Sequence, residues 1–281
     1  MKIRTIIISL CLILLFFTAM NAQSISGQSD ENSVKNIGKT IFSDFADIGT
    51  APFKMSKKDA LLFTAFAAVN AGLVFGTDEQ IDKDFTLEGD DFYIRHTKHL
   101  LPPGQFYDRM GPQVFSTALI GMFATGGIFL RDKKMLQTSF LLTESYLITA
   151  LLTRLGKISI GRARPYNDKG ARFYKSFYSK ADKERFYSMP SGHTSSAFAA
   201  MTVLAQQYPQ KYIKYPAYAL AASVALQRMD DRKHWLSDVI IGGALGHWVA
   251  KKLVNRNRSQ VSASTFTPYL AKNKLGFVIH F

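Results

Sequence analysis

Residues 157–238 carry three short polar clusters: Lys157-Ile158-Ser159-Ile160-Gly161-Arg162-Ala163-Arg164-Pro165, then Ser188-Met189-Pro190-Ser191-Gly192-His193-Thr194, then Gln227-Arg228 running through His234 to Asp238. Each cluster sits at the end of an apolar segment of helical length, not within a long polar loop. Working outward, six such segments are read, at 60–76, 113–130, 135–155, 193–208, 215–227 and 235–254. None keeps the period-two alternation of a sheet, so the expected fold is all-α, a bundle of about six core helices. The tail 265–281 differs in kind. Phe266, Pro268, Tyr269, Leu275, Phe277, Ile279 and the terminal Phe281 alternate in part around Lys272-Asn273-Lys274, which predicts a short strand-like hairpin. Outer-membrane strands also end on an aromatic residue, but one hairpin cannot close a barrel.

With 281 residues, the chain suits one globular domain with a small appendage. It is 47% apolar and 20% charged, with mean hydropathy of −0.01, lean for a protein made mostly of membrane spans. The 35 Lys and Arg against 21 Asp and Glu give a net charge of +14, which favours an anionic partner. Residues 1–22 read as a signal peptide: Lys2 and Arg4, an apolar run, then small residues before Gln23. The alternative is an uncleaved anchor helix. Cys11, the only cysteine, lies inside that run, so disulfides play no part in the mature fold. The remaining divisions are a polar lead-in at 23–58 with a short helix near 34–47, a helical domain at 59–256 and a tail at 257–281. Pro102-Pro103-Gly104 reads as a break, and His96 and His99 as solvated loop residues. The connection 168–186 interleaves cations and aromatics, a pattern that can bind nucleic acid. The export signal argues against a nucleic-acid partner.

The clusters carry the chemistry. Pro190 suits a first helical turn, and Ser191 with Gly192 then places a hydroxyl and open backbone amides at a helix N-terminus, a ready anion site. His193 follows on the same turn. His234 and Asp238 are four apart and share a helix face, so the carboxylate can fix one imidazole nitrogen and leave the other as nucleophile or base. A metal is an alternative use of that pair, but no third ligand stands at a matching spacing. Lys157 and Arg164 add cations suited to phosphate oxygens, with Arg162 as a spare, and Arg228 adds a charge it cannot lose. Together they imply one shared anion site, with phosphate the natural occupant.

Lys157-x6-Arg164-Pro165, Pro190-Ser191-Gly192-His193 and Arg228-x5-His234-x3-Asp238 resemble the three signature motifs of the type 2 phosphatidic acid phosphatase superfamily, which includes bacterial acid phosphatases and vanadium-dependent haloperoxidases. Gln227 departs from the Ser that family members commonly have there, which bears on how Arg228 is oriented. The resemblance implies a helical bundle and a phosphatase working through a phosphohistidine. His234 is then the nucleophile oriented by Asp238, and His193 the acid for the leaving alcohol and the later base. Lys157, Arg164, Arg228, Ser191 and the Gly192 amide hold the phosphoryl oxygens. It implies no metal and no cofactor. The expected substrate is a phosphorylated molecule, a lipid phosphate or a small soluble ester, met in the periplasm or cell envelope at a membrane surface. Six spanning helices after an exported start would put all three clusters on the cytoplasmic face. That parity favours some segments not crossing, with an integral protein as the alternative. Vanadate-based halide oxidation and non-catalytic binding of anionic lipid are the other readings. Oligomeric state is open.

Overall fold

The computed structural model describes residues 31–86, 98–263, 267–271 and 274–278. The expected signal segment 1–22 and His96 lie outside them. Nine α-helices stand among the described residues: α1 (Glu31–Thr50), α2 (Lys57–Gly76), α3 (Asp78–Thr86), α4 (Pro102–Met110), α5 (Pro112–Phe129), α6 (Lys133–Ile160), α7 (Gly192–Gln207), α8 (Lys211–Asp230) and α9 (Leu236–Ala263). All six expected segments are helices. The expected tail hairpin is β1 (Thr267–Ala271) paired antiparallel with β2 (Lys274–Val278), Thr267 opposite Val278.

Local chemistry sets the boundaries. Ser56 caps α2 by accepting from the Asp59 amide, and Asp132 caps α6 by accepting from the Lys134 and Met135 amides at 2.8 and 3.1 Å. The charged run 131–134 therefore starts a helix as well as ending one. Pro102-Pro103 does the same. The prolines occupy the first turn of α4, where a missing N–H costs nothing, so the expected break is a helix start. α6 runs past the expected end at 155 to Ile160, carrying Lys157 on its last turn. It stops at Gly161, whose φ of 62° is left-handed. A side chain at Gly161 would collide with the Lys175 carbonyl, so the connection can cross the helix end only over a glycine. The polar lead-in is ordered from residue 31. α1 buries Ile48 in the core, and its Asp44 and Asp47 pair with Arg256 of α9.

α7 is the central helix, packed by α6, α8 and α9. Its small residues, among them Ser195, Ala199 and Ala200, admit close neighbours. At Gly246 of α9 an added Cβ would run into the Ser195 carbonyl. Leu141, Ile148, Val203, Val224, Val249 and Val254 fill the layers between these helices. At the other extreme, α2 exposes Leu61, Leu62, Phe63, Val69 and Phe75 and buries only Asn70, whose amide donates to the Ser237 carbonyl at 3.3 Å. α2, α5 and α6 are each long and apolar enough to cross a membrane, and together they point to membrane association.

Candidate active site

The C-terminal ends of α6 and α8 and the N-terminal ends of α7 and α9 meet at one end of the bundle. The junction of α4 and α5 joins them there. Between them lies a pocket of about 450 Å³ lined by Lys157, Arg164, Gly192, His193, Arg228 and His234, one or more from each of the three clusters. Arg154, Lys183 and Lys233 add positive charge to its walls, and Asp108 and Glu184 are its acidic members. Six cations against two carboxylates make this an anion pocket.

Each cation is held differently. Lys157 Nζ donates to the Tyr187 carbonyl at 2.6 Å and the Ser188 carbonyl at 2.9 Å, and lies 4.6 Å from the Tyr187 ring centroid. These neutral acceptors fix the ammonium without cancelling its charge. Arg228 donates through Nη1 to Asp108 of α4. Arg164 Nε, Arg228 Nε and His234 Nδ1 are buried with no hydrogen-bond partner among the described residues. Unpaired buried nitrogen is costly, and the two arginine Nε atoms beside one cationic pocket mark where anionic oxygens would be received, while His234 Nδ1 faces Asp238.

His193 stands on the first turn of α7 with Nε2 3.2 Å from Asp108 Oδ1. His234 is almost fully buried, its Nδ1 3.7 Å from Asp238 Oδ2. That separation allows charge interaction but exceeds a hydrogen bond. Burial holds both imidazoles well below the usual histidine range, and the cations Lys157, Arg164 and Arg228 push the same way. Both are therefore neutral at pH 7.

Two of the expected site residues do not reach the pocket wall. Ser191 is buried, and its hydroxyl pairs with Thr194 Oγ1 at 2.9 Å. Asp238 lies behind His234, accepting from the Ser188 hydroxyl and from the Trp235 amide at 3.0 Å. Pro190 also stands elsewhere than expected. A cis peptide precedes it, and the helix opens after it at Gly192. Arg162 is no spare. It is fully buried and ion-paired to Asp238 and Asp78, each at 2.7 Å. Gln227 is buried beside Arg228, with its Oε1 lacking a partner among the described residues.

Residues 138–259, which contain every one of these groups except Asp78 and Asp108, match the family model described as the PAP2 superfamily. Among curated proteins, this chain is 30% identical over 108 residues to a lipid A 1-phosphatase of Porphyromonas gingivalis, covering 35% of this chain and 21% of that protein. It is 33% identical over 109 residues to a lipid A 1-phosphatase of Rhizobium etli, covering 38% and 45%. An undecaprenyl-diphosphatase of Sulfolobus acidocaldarius is 29% identical, covering 44% and 55%. The matches thus span about half or less of these relatives. Among solved structures, a transmembrane PAP2-type phosphatidylglycerolphosphate phosphatase from Bacillus subtilis aligns with a TM-score of 0.49 and 22% identity, covering 72% of this chain and 96% of that one.

The sequence reading missed Asp78 and Asp108. Both lie upstream of the PAP2 match in a charged stretch, and nothing in local composition separates them from their solvated neighbours. Among the described residues no cluster of three or more His, Cys, Asp or Glu side chains could hold a metal ion.

Proposed function

We propose that the protein is a metal-independent phosphatase of the cell envelope that hydrolyses lipid-borne phosphate esters or pyrophosphates through a phosphohistidine at His234. The observation that carries this is the convergence of Lys157, Arg164, Arg228, His193 and His234 on one 450 Å³ pocket with unpartnered donors. The three cations take the phosphoryl oxygens and neutralise the charge that develops in the transition state. His234 Nε2 attacks phosphorus, so a P–N bond forms as the P–O bond to the leaving group breaks. His193 gives its proton to the departing oxygen, then removes one from the water that cleaves the P–N bond. For that first step His193 must carry a proton that burial and the neighbouring cations disfavour. A bound phosphoryl dianion offsets the three cations, and Asp108 at 3.2 Å favours the imidazolium. The names of the lipid A and undecaprenyl relatives and the exposed apolar helices support a lipid substrate over a soluble ester.

The test is phosphate release without added metal, comparing a lipid phosphate in mixed micelles with a small soluble monoester. Preference for the lipid is expected, whereas equal turnover of the soluble ester would make this a broad-specificity phosphatase. His234→Ala should lose at least about 10⁴-fold in kcat while its thermal unfolding stays cooperative. Retained turnover in that variant would remove His234 from the nucleophile role.

A further inference from the structure

A second polar cluster, sealed from the pocket, lies behind His234. Arg162 Nη1 donates to Asp238 Oδ1 at 2.7 Å and to Ser237 Oγ at 2.6 Å, its Nη2 to Asp78 Oδ2 at 2.7 Å, and its Nε to the Ala171 carbonyl at 2.8 Å. Asp78 also takes the Ser237 amide on Oδ1 at 3.0 Å and the Ser237 hydroxyl on Oδ2. Arg162, Asp78, Ser237 and Asp238 are each at most 1% exposed. Asp78 and His234 both line one small cavity of about 10 Å³ together with Trp235.

Charge counting shows what Asp78 changes. Arg162 and Asp238 alone would be a matched, neutral pair. With Asp78 the cluster holds two carboxylates on one guanidinium and keeps one negative charge, in a region where charges interact strongly. His234 faces Asp238 from α9, Lys157 from α6, Arg164 from the loop after it, Arg228 from α8 and His193 from α7. Asp82, on the same small cavity, is held by Arg232. Three cations therefore surround an imidazole that must become positive when phosphorus bonds to it, and the buried anions are what oppose them.

We propose that Asp78 is a positioning residue for the reaction: by sharing the Arg162 guanidinium it fixes Asp238 and leaves that carboxylate a net negative charge to set against His234. This rests on His234 as the nucleophile. It extends the site beyond the PAP2 match to the first residue of α3, which α2 leads into directly.

Asp78→Asn is nearly isosteric and keeps an acceptor for the Ser237 amide, so Arg162 is left to pair with Asp238 alone. The expected result is a kcat lower by about 10- to 100-fold, the scale for removing an outer partner of a reacting group, with KM within about twofold. Affinity for orthovanadate, a mimic of the phosphoryl transition state, should fall in parallel. The deciding variant is Asp78→Asn with Arg162→Met. Removing both charges restores a single negative charge on Asp238, which keeps its Ser188 and Trp235 donors, so kcat and vanadate affinity should recover above those of Asp78→Asn. A purely structural role predicts the double variant to be worse than either single one. That result, or unchanged kcat and vanadate binding in Asp78→Asn, overturns the proposal. Vanadate binding keeps the two readings separate: a wild-type protein that binds vanadate but releases no phosphate refutes the phosphatase, while the variant series still decides Asp78.

Discussion

His234 divides two polar clusters of opposite construction. In front, Lys157, Arg164 and Arg228 line an open pocket, with Arg164 Nε and Arg228 Nε lacking partners among the described residues. Behind, Arg162 is wholly buried and each of its three side-chain nitrogens donates to a partner among Asp78, Ser237, Asp238 and the Ala171 carbonyl. Arg162 and Arg164 are two residues apart in sequence, yet one closes the fold and the other faces the site. Residue type does not decide which; the supply of buried carboxylates does.

Substitutions at the two arginines should separate these roles most sharply. Arg162→Met leaves Asp78 and Asp238 buried with no cation between them, and should cost about 3–5 kcal/mol of stability. A large drop in thermal midpoint is the expected reading; a near-wild-type midpoint would show that the rear cluster does not hold the fold. Arg164→Ala should do the reverse, lowering kcat by about 10²–10³-fold with the midpoint little changed. A parallel loss of stability there would erase the contrast.

Acid titration gives a smaller effect on the same boundary. The folded His234 has its pKa pushed down, while in the unfolded chain it titrates near about 6.5. The unfolded state therefore binds more protons once pH falls below that value, and the stability from a neutral His234 is lost progressively, by up to about 1.4 kcal/mol per pH unit. Denaturant midpoints between pH 8 and 5 should fall for the wild-type chain and fall less for His234→Gln. Equal slopes would mean that other groups carry the acid sensitivity.

The front cluster was legible in the sequence because its parts are local. A proline, a serine and a glycine before His193, and a histidine four residues before Asp238, are short-range patterns with direct physical meaning. The core helices were legible for the same reason, as apolar runs. The rear cluster was not. Arg162 meets a carboxylate 84 residues before it and another 76 after it, and no spacing rule links them. Asp108 likewise reaches Arg228 across 120 residues, from a helix whose opening prolines read as a break. The Ser191 hydroxyl, expected at the anion, turns instead to Thr194. Its residue type suited either use.

Asn70 is the one buried side chain of α2, and it grips Ser237 two turns before the chain reaches Asp78. A helix otherwise dressed for oil is thereby pinned to Ser237 at the start of α9, and Asp78 of α3, just after it, holds the same residue. The rear wall of the site is thus tied to a helix that exposes Leu61, Leu62, Phe63, Val69 and Phe75. Whatever shifts this helix therefore acts on Ser237, and through it on the carboxylates behind His234.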